Sequence, residues 1–249
     1  MNAPDEVRAR IGLIIPSSNR LTEPQMRHYA PTGVEIHVTR LRMTGASHVP
    51  LAELLPRIVE STLALSDARC DAIVFHCTAS SMEAGLHGEQ QVIEAMRGAT
   101  AAQVATTATA TLAAMRALKL DHIALFSPYV AATHAHEITF LEEAGVNVIG
   151  GRALGLSGGD DYITVLPVEW LRIAETETPP QATGVFLSCT NIRAPEIVEQ
   201  LERSLGRPVV TSNQAVLWYA LRQCRITDGA PALGRLFGLG LSTALAMTA

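Results

Sequence analysis

The chain has 249 residues, of which 48% are hydrophobic, 17% charged and 4% aromatic, with a formal net charge of −5. That length and apolar content support one large domain or two small lobes with ample core, and they exclude a disordered chain. The mild acidity, without any Lys/Arg run, argues against nucleic acid as a partner.

The first ten residues are polar, and the apolar run behind them, 11–16, is too short for a signal-peptide core. That run is the first predicted strand. After it the pattern predicts helix 22–29, strand 35–39, helix 51–67, strand 72–76, helix 89–97, strand 103–106 and helix 109–117. A second series follows: strand 122–127, helix 131–144, strand 147–150, helix 168–176, strand 184–188, helix 195–205, strand 208–211 and helix 213–222. Alternation of nearly continuous apolar strands with amphipathic helices predicts an α/β fold with parallel sheets covered on both faces. The closing apolar stretch, 236–249, falls short of a membrane span and predicts a final packed helix. A cytoplasmic protein without membrane association is expected, with assembly as a homodimer or homotetramer left open.

The two series match at a fixed offset. Ile11-Gly-Leu-Ile-Ile-Pro16 corresponds to Ile123-Ala-Leu-Phe-Ser-Pro128, Val34 to Val146, and Ile73-Val-Phe-His-Cys77-Thr78 to Val185-Phe-Leu-Ser-Cys189-Thr190, each 112 residues apart. The fourth strands, ending at Thr106 and Thr211, lie 105 residues apart, so a short deletion intervenes. Three registered matches predict two copies of a four-stranded βα unit. The expectation is two pseudo-symmetric lobes with a site in the cleft between them, residues 1–108 plus 220–249 forming one and 109–219 the other. Open parallel sheets bind ligands beyond the carboxyl ends of their strands, where both Cys77 and Cys189 fall.

Of the four cysteines, Cys70 and Cys224 sit in apolar helical stretches and read as small core fillers. No Cys or His pair has zinc spacing and no CxxC occurs, so neither a metal nor a disulfide framework is expected. No dinucleotide or phosphate-loop motif is present, and no cofactor is expected. Cys77 and Cys189 head equivalent strand-to-helix turns. Backbone N–H groups at such turns favour anions. A free thiol has a pKa near about 8.5, so one turn can both favour a thiolate and hold a substrate carboxylate. A thiolate and a thiol across a cleft make a base and an acid, or a nucleophile and a proton donor. Ser17, Ser18, Asn19 and Tyr129, which follow the equivalent first strands, are expected to line the same cleft and bind carboxylate without formal positive charge. Thr106, Thr211 and Ser212 end the fourth strands and read either as lining residues or as helix caps. His76 is expected to point away from the thiol beside it, because neighbouring strand residues face opposite sides.

These residues resemble the aspartate/glutamate racemase superfamily: duplicated α/β halves, each with a cysteine at a strand end. Within it, Ile11-Gly-Leu-Ile-Ile-Pro-Ser-Ser-Asn19 with Glu23 nearby, Phe75-His-Cys77-Thr-Ala-Ser80, Ser127-Pro-Tyr129 and Leu187-Ser-Cys189 are similar to blocks of the maleate cis–trans isomerases, in the same order over nearly the whole chain. The resemblance implies that Cys77 adds as thiolate to an alkene carbon of a small carboxylic acid, Cys189 protonates the neighbouring carbon, and the single bond then rotates. It implies further that Asn19 and Tyr129 bind the substrate carboxylates. Thr78 and Thr190, beside the cysteines, are taken as further substrate contacts. One departure stands out: Asp160 occupies the place of a family asparagine that helps to hold a carboxylate. An aspartate facing a dianion is unfavourable unless protonated or turned away, which points to a related acid as an alternative substrate. Rival readings are an amino-acid or hydantoin racemase using the same cysteines, an arylmalonate-type decarboxylase, which resembles this fold but keeps only the second-half cysteine, and a two-lobed binding protein without catalysis.

Overall fold

The computed structural model describes residues 7–43 and 49–241. Its first half builds β1 (Ala9–Pro16), α1 (Thr22–Tyr29), β2 (Val34–Leu41), α2 (Leu51–Asp67), β3 (Ala72–Phe75), α3 (Thr78–Met82), α4 (Gly85–Arg97), β4 (Gln103–Thr106) and α5 (Thr107–Leu118). The second half builds β5 (His122–Ser127), α6 (Ala131–Glu143), β6 (Asn147–Ala153), α7 (Gly159–Tyr162), α8 (Pro167–Glu177), β7 (Gly184–Leu187), α9 (Val198–Leu205), β8 (Val209–Thr211) and α10 (Ser212–Gln223). The strands form two four-stranded sheets in the orders β2-β1-β3-β4 and β6-β5-β7-β8, every pairing parallel. Ile11, Leu13, Ile14 and Ile15 of β1 are all buried, as are all four residues of β3 and of β7. Burial on both faces is what a helix-covered parallel sheet requires of its central strands.

The repeat holds in the register. Ile14 pairs with Phe75 in one sheet and Phe126 with Leu187 in the other, at the same 112-residue offset. Each third strand therefore stops at the same height, and the chain turns out of both sheets at equivalent points, just ahead of Cys77 and Cys189. Small residues on α5 and α10, including Ala108, Ala110, Ala113 and Ala114 on one and Ala215 and Ala220 on the other, are buried in a single core cluster that also takes in β1 and β5. This core ties the two sheets together. Thr106 and Thr211 cap these helices alike: Thr106 Oγ1 accepts the Thr109 N–H (3.0 Å) and Thr211 Oγ1 the Gln214 N–H (3.2 Å), each with a reciprocal contact. Both threonines are thus caps rather than cleft residues.

Five elements depart from the sequence pattern. Two short helices, α3 and α7, were not predicted. β6 runs on to Ala153 because a bulge opposite Ile123 and Ala124 absorbs an extra residue, with Gly151 at φ 114° passing against the Leu125 backbone where a Cβ would clash. The predicted helix 195–205 begins as a 3-10 turn, Ala194–Ile197, ahead of α9. The predicted final helix, where described, is a 3-10 turn, Arg235–Gly238, that buries Leu236 and Phe237; the remainder of that stretch lies outside the described residues. Among the described residues, no helix is long and apolar enough to cross a membrane.

Candidate active site

Cys77 directly precedes α3 and has an ordinary extended backbone (φ −145°). Its half-buried thiol donates to Ser80 Oγ at 3.3 Å. Burial pushes this thiol above its usual range, and Glu137 and Glu83 add to the rise, while the Ser80 hydroxyl and backbone N–H oppose it. Cys189 is set differently. Its φ is 124°, a conformation that L residues rarely adopt, and holding it there costs of order 1–3 kcal/mol. Its N–H donates to Ser212 Oγ (3.1 Å), and its Sγ accepts the Asn191 N–H (3.3 Å). Cys189 is only 5% exposed. Burial pushes its thiol up to about 12, against hydrogen bonds from the Tyr129 hydroxyl and the Asn191 N–H. The two sulfurs share one cleft of about 100 Å³, and charge on Cys77 makes Cys189 harder to ionise.

The cleft is neutral in its donors. Ser18, Asn19, Ser80, Tyr129, Thr133, Tyr162, Thr190 and Asn191 supply hydroxyl and amide groups, with Pro16, Met43, Val49 and Ala79 as apolar wall. The Tyr129 and Tyr162 rings meet edge to face at 5.5 Å. Glu83 is the single charged residue among the described lining residues. Arg20 and Arg40, the nearest cations in sequence to Asn19, turn outward: Arg20 pairs with Asp160, and Arg40 pairs with Glu23 (3.0 Å) while donating to the Asn19 carbonyl (2.6 Å).

Side chains from both halves knit the floor. Asn19 Nδ2 donates to Thr190 Oγ1 (2.9 Å) and to Thr22 Oγ1 (3.0 Å), and Asn19 Oδ1 accepts the Thr22 N–H (2.9 Å). Asn19 is therefore at once a helix-start turn and a bridge between the lobes. His76 is fully buried away from the cleft, as its strand position predicts, with Nδ1 against Thr107 Oγ1 (3.0 Å) and Nε2 against Asn213 Oδ1 (2.8 Å). Burial lowers its pKa to about 4, so it is neutral in ordinary conditions.

The structure brings Cys77, Cys189, Asn19, Tyr129 and Thr190 together, and Ser18 with them. Three expected contacts do not reach the cleft. Ser17 instead clamps the Met43 backbone, donating to its carbonyl (3.3 Å) and accepting its N–H (3.2 Å). Thr78 is buried and donates to Ser212 Oγ (2.8 Å), the same oxygen that accepts the Cys189 N–H, so it steadies the opposite cysteine. Asp160 lies at the start of α7 with its carboxylate 90% exposed and paired with Arg20; Gly159 beside it lines the cleft instead. The aspartate is turned away, which removes the conflict with an anionic substrate. Cys70 is buried in the core of the first sheet, as expected, and Cys224 is partly buried against the separate core that α5 and α10 share.

Sequence reasoning missed Ser80, Tyr162, Asn191 and a buried carboxyl, Glu137. Ser80 stands three residues beyond Cys77, the spacing at which a residue ahead of a helix accepts a backbone N–H. Glu137 falls three and four residues before Phe140 and Leu141 on the buried side of α6, a lone acid on an apolar face.

The sequence profile of the arylmalonate decarboxylase family matches residues 11–237. The maleate isomerase of Nocardia farcinica is 28% identical over 242 residues, 91% of this chain and 94% of its own. The arylmalonate decarboxylase of Bordetella bronchiseptica is 34% identical over 149 residues, 57% of this chain and 61% of its own. A crystal structure of a Cys-to-Ser mutant of the Nocardia farcinica maleate cis–trans isomerase, with a covalently bound succinylcysteine intermediate, superposes with a TM-score of 0.85 at 26% identity, covering 92% of this chain and 98% of that one.

Proposed function

This chain belongs to the arylmalonate decarboxylase family, and from that premise we propose that it is a maleate cis–trans isomerase that works without a cofactor. The single observation that carries this reading is the pair of unequal thiols on opposite halves of one cleft. Decarboxylation followed by protonation needs one proton donor. Addition across a double bond needs a nucleophile and a donor, and this cleft has both.

Cys77 is the more accessible sulfur, with the Ser80 N–H and hydroxyl placed to receive its negative charge. Its thiolate adds to one alkene carbon of maleate, forming a C–S bond as the π pair moves to the neighbouring carbon. Cys189, a thiol up to about pH 12, gives that carbon its proton. The former double bond is now single and rotates. The Cys189 thiolate then takes a proton back, the C–S bond breaks, and fumarate leaves with Cys77 again a thiolate. Covalent addition replaces the barrier to twisting a π bond by two smaller ones. While Cys189 is briefly charged, the Tyr129 hydroxyl and Asn191 N–H hold that charge. Asn19, Tyr129 and Thr190 take the substrate carboxylates as neutral hydrogen-bond partners, and closure of the dry cleft keeps the adduct in place during rotation.

Turnover of maleate to fumarate, followed by loss of maleate absorbance, tests the reading. The wild type is expected to convert it, and Cys77→Ala and Cys189→Ala each to lose about a thousandfold or more in kcat. An arylmalonate run in parallel discriminates the family's other activity. Release of carbon dioxide that survives Cys77→Ala, without maleate turnover, would replace the isomerase by a decarboxylase. Solvent deuterium entering a recovered amino acid would replace it by a racemase.

A further inference from the structure

Among the described residues, Glu137 is a fully buried acid whose charge reaches both cysteines, and the reaction above does not use it. It is fully buried on α6, one helical turn beyond Thr133, which lines the cleft. Its Oε1 accepts the Ser188 hydroxyl at 2.8 Å, and Ser188 directly precedes Cys189. Its Oε2 has no hydrogen-bond partner among the described residues. A carboxylate with a bare oxygen in a dry interior costs several kcal/mol, whereas a carboxylic acid there costs far less. Burial accordingly pushes its pKa up to about 8, with Ser188 opposing.

The groups facing Glu137 are those of the site. Cys77 lies on the α3 side, Cys189 at the end of β7, Tyr129 beyond β5 and Tyr162 on α7, and each of them is harder to ionise when Glu137 is charged. α4 and β6 also pack on α6; of their charged groups, Glu89 accepts from Thr106 (2.8 Å), Glu94 accepts from Gln90 (2.9 Å), Arg97 acts on Tyr219 and Arg152 pairs with Glu177 (2.9 Å). Glu83, after α3, answers to His136 on the outer side of α6. Among the described residues that line the cleft there is no Arg, Lys or His.

We propose that Glu137 is a positioning residue that stays a neutral carboxylic acid under the dyad and so spares the Cys77 thiolate a further negative charge beside it. When Glu137 loses its proton, its charge sits below both sulfurs and suppresses the Cys77 thiolate. The proposal rests on Cys77 as nucleophile but not on maleate as substrate, and it is tested without substrate. Alkylation of Cys77 by iodoacetamide, read by peptide mass spectrometry across pH, reports the thiolate directly. Glu137→Gln keeps the oxygen that accepts from Ser188 and cannot ionise. Below about pH 7 the variant and the wild type should react alike; above about pH 9 the variant should react at least about threefold faster, a shift of half a pKa unit. Superimposable profiles would overturn the proposal, as would a variant slower at every pH. Should the variant fail to fold, infrared spectroscopy of the wild type decides. A protonated-carboxyl band that persists at about pH 6.5 and vanishes by about pH 9.5 is expected, and its absence at the lower pH would end the proposal. Maleate inactivity with an intact shift in alkylation would dismiss the substrate and keep Glu137.

Discussion

At the scale of single residues the two cysteines are equivalent in sequence and different in setting. Cys77 keeps an ordinary backbone and takes its help from a helix start; Cys189 is held at φ 124° by hydrogen bonds on its N–H and Sγ. That strain is testable. Glycine normally destabilises relative to alanine, but at such a φ the order inverts. Cys189→Gly should be more stable than Cys189→Ala by about 1 kcal/mol in denaturant unfolding, whereas the same pair at Cys77 should show alanine ahead. Buried titratable groups also set a pH dependence. His76, lowered to about 4, is neutral when folded and protonates more readily when unfolded, so it destabilises as pH falls from about 6.5 to 4. Glu137 is raised, so its contribution is fully present below about 4.5 and is lost as pH rises through about 8. The two trends oppose each other at mildly acid pH. Between about pH 6.5 and 8 only Glu137 acts, and wild-type stability should fall there by about 2 kcal/mol at most; Glu137→Gln, followed by urea denaturation, should lose that slope. An unchanged slope in the variant would show that Glu137 is not the group responsible.

At the scale of elements, duplication made most of the fold readable. All eight strands overlap the apolar runs that predicted them, six at the 112-residue offset and the fourth pair at 105, and the central β1, β3, β5 and β7 were the plainest because near-continuous burial leaves an unbroken apolar signature. What escaped was short or irregular. α3 reads Thr-Ala-Ser-Ser-Met, five residues with no apolar period, and is held by its place after β3 rather than by its own pattern. α7 sits in a Gly-rich segment and is stabilised by contacts distant in sequence, such as Asn191 Nδ2 donating to the Gly159 carbonyl (3.0 Å). These are also the elements that finish the site, which is why Ser80 and Tyr162 were hidden and Asp160 was placed facing inward. Thr106 and Thr211 mark the limit of reading by position: a strand-end threonine serves a cleft or a cap equally well until the following helix start is located. As a cap, Thr211→Ala should cost about 1 kcal/mol in thermal or denaturant unfolding and leave kcat within about twofold. A large loss of kcat with unchanged stability would return Thr211 to the cleft.

At the scale of the whole molecule the site is an interface between two copies of one unit. The cysteines were legible as a pair because the repeat put both at equivalent strand ends. The hydrogen bonds across the repeat were not legible, because they join residues far apart in the chain. Thr78 from the first half reaches Ser212, which holds Cys189, while Asn19 reaches Thr190 and His76 reaches Asn213. Through these contacts the segments that carry the two cysteines are tied to the other half, and both sulfurs line one cleft. The absence of any Arg, Lys or His among the described lining residues makes the proposed carboxylate-binding surface one of neutral donors, and tight seating of the proposed substrate then depends on geometry more than on net attraction.

The most direct test of two sulfurs acting on one substrate is intact-protein and peptide mass spectrometry of Cys189→Ser incubated with maleate. Water or the substituted serine hydroxyl can still protonate the neighbouring carbon slowly, but no thiolate is present to take that proton back, so Cys77 should retain one covalent adduct with the mass of maleic acid, and Cys77→Ala should retain none. An adduct on any other residue, or full turnover by Cys189→Ser, would contradict the account.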